Sequence, residues 1–306
     1  MAPVLVVGSV AFDTLHLPCG THPKVVGGAA LYAALSGGLF APMRLIGVVG
    51  RDFPQTALGQ LTERGIDLQG LEHRDGYTFH WEGKYASNLN SRETIRTELN
   101  VFADFCPTIP EAFKDSQYIL LGNIDPVLQL EVLNQVKQPR LVVADTMNYW
   151  IQGSLPALRR TLERVNVLVI NEEEARELSG TYNLVEAARV MHAMGPATVI
   201  IKRGEYGALL FQDGQVFFAP AYPLEQVVDP TGAGDCFAGA LLGWIALCES
   251  ASADTLRQAM IYGSSVASYG VEGVGTARLL EIKRSDVDSR YSEFSKLVHI
   301  PQDVSV

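Results

Sequence analysis

The chain has 306 residues, 47% of them hydrophobic and 19% charged, a composition that excludes disorder and leaves room for a large buried core. Asp and Glu number 34 against 24 Lys and Arg, a formal charge of -10, and no basic run offers a footprint for a phosphate backbone or an anionic bilayer. Nucleic acid and membranes are therefore poor partners, and the longest apolar stretch, Cys236 to Cys248, falls short of the roughly 20 residues that a bilayer requires.

Short β-branched runs recur along the chain: VLVVGSV (4–10), RLIGVVG (44–50), YILLG (118–122), LVVAD (141–145), VLVIN (167–171) and TVIIKRG (198–204). Continuous apolar runs of this length read as buried parallel strands. Between them lie helical patterns at 29–40, 56–65, 126–136 and 184–195. This alternation predicts a doubly wound, mostly parallel α/β sheet with helices on both faces. GALLFQDGQVFFAP (207–220) predicts an edge hairpin turning at Asp213-Gly214.

Two segments break the rhythm. Residues 13–26 form an excursion between the first strand and first helix, and 76–103 alternate polar and aromatic residues as a small antiparallel flap would. Together they are expected to build a β lid on one edge of a single domain spanning 1–306, or else to be two decorative loops. A lid strand shared between two copies would make a homodimer. The start MAPVLVVGSVAF has no basic region, and the four cysteines are scattered without close pairs, so free thiols in the cytoplasm are expected. Cys236 is either a thiolate favoured by a helix start or, more simply, a buried cysteine.

The stretch VVDPTGAGDCFAGALLGWIA (227–246) carries the chemistry. Small residues leave the backbone N–H groups of Gly232, Ala233 and Gly234 uncovered where a helix begins near Asp235, and the helix dipole adds positive charge there. That is an anion hole. Asp235 beside it is either an ordinary carboxylate of a helix N-terminus or a base that takes a proton from an alcohol while the amides hold a transferring phosphoryl group.

The loop resembles the second signature of the ribokinase-like carbohydrate kinases, the PfkB family, whose last aspartate is the catalytic base. Further matches run in order through nearly the whole chain. Asp13, in GSVAFD, resembles the acidic residue that binds substrate hydroxyls, and Gly27-Gly28 resembles the glycine pair at which substrate approaches and the lid hinges. GVVGRDFPQTALGQLTERGID (47–67) resembles a family stretch read here as scaffold. Asn171 to Glu174 looks like the N-x-x-E motif, implying that Asn171 and Glu174 organise Mg²⁺ through water, although carboxylates opening a helix are also ordinary. Lys202, Gly204 and Gly207 match the turn that lies along the nucleotide, with Thr231 from the glycine loop, and Gly263 matches a small residue near adenine, or one that serves helix packing.

The resemblance implies a ribokinase-like fold and an ATP- and Mg²⁺-dependent kinase for a hydroxyl of a sugar or related polyol, with a nucleoside kinase or a non-catalytic nucleotide sensor as alternatives. The nucleotide would be bound without GxxxxGK(S/T), which is absent. Two departures bear on the substrate. Tyr32 stands where relatives carry the asparagine of GGxxxN, and Asp145-Thr146-Met147-Asn148-Tyr149-Trp150 lacks the arginine of D-x-N-x-R. No basic cluster is expected near Asp13 or Gly28, which argues against an already phosphorylated acceptor.

Overall fold

The computed structural model describes residues 1–298. In chain order, β1 (Val4–Val7) leads into the hairpin β2 (Ala11–Leu17) and β3 (Gly20–Gly27), then α1 (Ala29–Gly37), β4 (Met43–Gly50), α2 (Gln55–Glu63) and β5 (Ile66–Arg74). A second hairpin, β6 (Phe79–Tyr85) and β7 (Arg92–Glu98), precedes β8 (Tyr118–Leu121), α3 (Pro126–Gln135), β9 (Leu141–Asp145), α4 (Asn148–Gly153) and α5 (Leu155–Leu162). Then follow β10 (Val167–Asn171), α6 (Glu172–Ser179), α7 (Leu184–His192), β11 (Thr198–Lys202), β12 (Ala208–Gln212) and β13 (Gln215–Ala219). Helices α8 (Ala233–Cys248), α9 (Ala253–Gly270), α10 (Ala277–Glu281) and α11 (Arg284–Leu297) complete the described residues.

Nine strands form one sheet in the order β13-β12-β11-β10-β9-β8-β1-β4-β5, parallel from β11 to β5, with β12 and β13 added antiparallel at one edge. Successive residues of the parallel strands feed opposite cores, because both sheet faces are covered. Val4 and Val6 pack with α1, α8 and α9, whereas Leu5 and Val7 pack with α3. Helices α5, α6 and α7 cover that second face further along. The expected doubly wound architecture is observed. β5 is an addition: its alternation of buried and exposed residues, with Asp67, Gln69 and Glu72, is that of an edge strand and gives no continuous apolar run.

The second sheet has the order β3-β2-β6-β7. It is mixed, not antiparallel: β2 and β6 pair in parallel, with Asp13 opposite Trp81. Both strands leave the carboxyl ends of parallel strands in the main sheet, β1 and β5, so they run the same way. The base of the β6–β7 hairpin is pinned at buried Thr78. Asp52 Oδ1 accepts from its N–H at 2.8 Å and its hydroxyl at 2.7 Å, and Gly50 N–H donates to Thr78 Oγ1 at 3.0 Å.

Helix α8 is apolar almost all round because it lies between α1 and α9. It crosses α1 at glycines. A Cβ on Gly239 would sit 2.2 Å from the Ala33 carbonyl oxygen, and one on Gly243 2.7 Å from that of Gly37. This close approach fixes where the N-terminus of α8 emerges, against the start of α1. Gly239→Ala is expected to force the helices apart and cost about 1–3 kcal/mol, read from the urea unfolding midpoint.

Candidate active site

Three adjacent parallel strands, β9, β10 and β11, end in polar residues: Asp145, Asn171 and Lys202. Carboxyl ends of strands in a doubly wound sheet open onto a crevice, so these side chains share one edge. Lys202 Nζ donates to Asp145 Oδ2 at 3.3 Å. Burial would lower the lysine pKa, but Asp145, Glu174 and Asp235 outweigh it and hold the ammonium above its ordinary value. Asn171 and Glu174 cap α6 reciprocally: Asn171 Oδ1 accepts from the Glu174 N–H at 2.8 Å, and Glu174 Oε2 accepts from the Asn171 N–H at 3.0 Å. Glu174 is buried, and burial, then Asp145, pushes its carboxyl up to about 7.

The glycine loop meets this cluster from α8. Gly232 caps the helix in the left-handed region, φ 74°, and the Tyr32 ring lies so close that a Cβ would come within 2.4 Å of it. The helix therefore starts at Ala233, and Asp235 is its third residue rather than its cap. Asp229 ties the loop down, its Oδ1 accepting from the Thr231 N–H at 2.9 Å and its Oδ2 from the Gly275 N–H at 2.8 Å. Ala233, expected to offer its N–H, instead donates it to the Pro230 carbonyl at 3.2 Å, the bond that closes the turn. Among the described residues the N–H groups of Gly232, Gly234 and Asp235 have no main-chain or side-chain acceptor outside their own residue. A Cβ on Gly234 would lie 2.7 Å from Lys202 Nζ, so glycine there is what lets the ammonium sit under the helix tip. The Asp235 carboxyl is pushed up to about 7, first by burial and then by Asp145, with Lys202 and Arg92 opposing.

On the other side of the loop, Asp13 is 5% exposed and is likewise raised to about 7, by burial first and then by Asp229 and Asp235. Gly27 sits so close that a Cβ there would lie 2.3 Å from Asp13 Oδ2, and Gly28 adopts φ 103°. Tyr32 is 2% exposed, its ring between Gly27 and Gly232 and its hydroxyl without a partner among the described residues. Gly204 is exposed at φ 56°, while Gly207 is buried with its α-carbon against the Ala219 carbonyl. Gly263 does not face this crevice. It lies in the α8–α9 interface, where a Cβ would be 2.8 Å from the Phe237 ring, so its small size serves helix packing. Cys236 is buried, its thiol pushed up to about 12, and is no thiolate.

The sequence left four participants, Asp145, Tyr85, Asn90 and Arg92, without an assigned contact. Asp145 opens the stretch that lacks the arginine of D-x-N-x-R, so the motif gave it no role. Tyr85 Oη is 2.8 Å from Thr231 Oγ1, and Asn90 Nδ2 donates to Glu205 Oε1 at 3.0 Å, so the second sheet reaches across to the glycine loop and to the turn after β11. Arg92, on β7, brings positive charge to bear on Asp13, Asp235 and Glu174, a single cation and not a basic cluster.

A family model described as pfkB family carbohydrate kinase matches residues 3–283. The chain belongs to this family. Its members are kinases, so the chain is a phosphotransferase with an alcohol group as acceptor. A cytidine kinase from Thermococcus kodakarensis is 34% identical over 248 residues, 79% of this chain and 88% of that protein. The Burkholderia thailandensis nucleoside kinase, solved in complex with ADP-inosine, superimposes with TM-score 0.77 at 20% identity over 99% of this chain and 98% of its own. An E. coli structure in complex with ATP and Mg²⁺ gives 0.76 at 20% identity, over 96% of this chain and all of that one. At these identities the solved structures establish the ribokinase-like fold. Among the described residues no helix is long and apolar enough to cross a membrane.

A pfkB kinase that keeps a raised carboxylate in its crevice loses stability for it. The folded chain holds the Asp13 proton up to about pH 7, whereas an unfolded aspartate sheds it near 3.8. That contribution to stability is full below the unfolded value and is lost as pH rises through the folded one. Asp13→Asn is therefore expected to raise the unfolding free energy by about 1–3 kcal/mol near pH 8 and by much less near pH 4, measured by denaturant titration at both.

Proposed function

We propose that the chain transfers the γ-phosphoryl group of ATP to a hydroxyl of a nucleoside, with Asp235 as general base. The observation that carries this reading is the placement of Asp235 on the first turn of α8, raised to about 7 and flanked by unpaired N–H groups. A base works best when its pKa lies near the working pH. Asp235 accepts the proton of the acceptor hydroxyl, whose oxygen bonds to the γ-phosphorus as the bond to the departing ADP oxygen breaks. The N–H groups of Gly232, Gly234 and Asp235 face the charge that spreads over the γ-oxygens. Asp13 with Gly27 and Gly28 holds the acceptor hydroxyls. Lys202, Gly204 and Thr231 line the nucleotide side, and Gly207 packs the turn against the Ala219 carbonyl.

Asn171 and Glu174 supply hard oxygen donors of the kind Mg²⁺ takes, and the surplus of buried negative charge suits a divalent cation. Their capping bonds occupy one oxygen of each, and no group of three carboxylates, histidines or cysteines among the described residues could hold an ion directly, so the ion would be held through water. When bound it neutralises phosphate charge. A nucleoside is favoured over a free sugar because the relative at 34% identity is named for cytidine.

Asp235→Asn should lower kcat by about 10²- to 10⁴-fold, or about 3–5.5 kcal/mol of barrier, while leaving binding of both substrates largely intact. An Asn variant as active as the wild type would remove the base. The wild-type kcat should rise with pH and level off above about 7, because the working form is the deprotonated one. Coupled ADP-release assays across nucleosides, ribose and fructose decide the acceptor, and faster turnover of a free sugar than of any nucleoside would overturn that class.

A further inference from the structure

The glycine loop has a crowded and one-sided electrostatic setting. Asp13, Asp145, Glu174, Asp229 and Asp235 surround it, and the cation rooted in the main sheet, Lys202, is already paired with Asp145. A γ-phosphoryl group adds several more negative charges, and in transfer its charge spreads over three equatorial oxygens. Lys202 alone would have to serve both Asp145 and the phosphates.

The second sheet carries a cation that no carboxylate holds. β7 is exposed along nearly its whole length, and its other arginine, Arg96, is paired with Glu98 at 2.6 Å. Arg92 makes no ion pair within 4.0 Å among the described residues. It is nevertheless held in place. It sits opposite Tyr85 in the β6–β7 register, and its guanidinium lies 5.7 Å from the centre of the Trp81 ring. That ring is folded over Gly83, where a Cβ would come within 2.1 Å of it, and is fixed by its Nε1–H donating to Thr94 Oγ1 at 3.2 Å. A planar cation over an indole face is a stable arrangement. Arg92 pairs across the hairpin with Tyr85, which attaches the sheet to Thr231, and lies two residues from Asn90, which attaches it to Glu205, so the contacts that seat the sheet also hold the arginine's strand beside the glycine loop.

We propose that Arg92 is a catalytic residue that the lid sheet brings to the glycine loop, where its guanidinium contacts the γ-phosphoryl oxygens during transfer. The proposal rests on the ATP-dependent transfer argued above. It draws support from the β6–β7 register, which sets Arg92 opposite Tyr85, the residue whose hydroxyl lies 2.8 Å from Thr231 of the glycine loop. The arginine breaks no bond and takes no proton. It balances charge that Lys202, held by Asp145, cannot.

The test uses the full chain with ATP, Mg²⁺ and cytidine, comparing Arg92→Ala, Arg92→Lys and Asp235→Asn. Arg92→Ala is expected to lower kcat by about 10²- to 10³-fold with the cytidine KM within about threefold of wild type, and dilute guanidinium should restore at least about tenfold of the loss. Arg92→Lys should recover only part of the rate, since a lysine lacks the planar fork. A kcat for Arg92→Ala within about threefold of wild type, a defect confined to the cytidine KM, or a loss that guanidinium leaves untouched would each overturn the proposal. Asp235→Asn separates the two levels: if it is inactive while Arg92→Ala is active, only Arg92 fails, and if it is fully active the underlying reading fails. Calorimetric titration gives a readout that needs no acceptor. Arg92→Ala should weaken a non-hydrolysable ATP analogue by about tenfold relative to ADP. If cytidine is not turned over, an unchanged ratio overturns the proposal.

Discussion

Lys202 reaches from the end of β11 to Asp145 at the end of β9, and Gly234 at the tip of α8 is small enough to let its ammonium lie beneath the helix. This buried pair conditions everything around it. A lone lysine here would be driven toward neutrality, and a lone cluster of carboxylates would be driven to hold protons. With the pair in place the lysine stays charged, while Asp235 and Glu174 are left near the middle of their range, able to respond to a ligand's charge. The raised carboxyl of Asp235 is thus a property of the neighbourhood, set mainly by burial and by Asp145.

That neighbourhood is positioned by packing some distance away. Helices α1 and α8 touch backbone to backbone at Gly37, Gly239 and Gly243, and this brings the starts of both helices to the same side of the crevice. Tyr32 from α1 then fills the space under Gly232, while Asp229 binds the loop to Gly275. The N–H groups at the helix tip are consequently fixed before any ligand arrives, which is the condition under which such groups lower a barrier.

What the sequence disclosed follows from the range of the interactions involved. Strands buried on both faces are continuous apolar runs, so β1, β4 and β8 to β11 were legible, as was the loop ending in Asp235, because close backbone approach demands small residues in a fixed order. β5 was not, because an edge strand carries polar residues on its open side. Asp145 acquires meaning only through Lys202, 57 residues away, and Tyr85 only through Thr231, 146 residues away. Glycines were ambiguous for a related reason. Gly232 and Gly263 look alike in sequence, yet one frees a left-handed turn and the other admits the Phe237 ring. Ala233 was misjudged because the Pro230 carbonyl that takes its N–H belongs to the turn's detailed course.

The parallel pairing of β2 with β6 joins two pieces of chain that leave different strands of the main sheet, with Ala11 aligned to Phe79. Such a sheet has no local route to assembly, because its central pair closes a loop of nearly seventy residues. The strands that launch it, β1, β4 and β5, must already be in register before β2 and β6 can meet. The second sheet is therefore expected to form after the main sheet and, held to it at Thr78, Thr231 and Glu205, to come away before it.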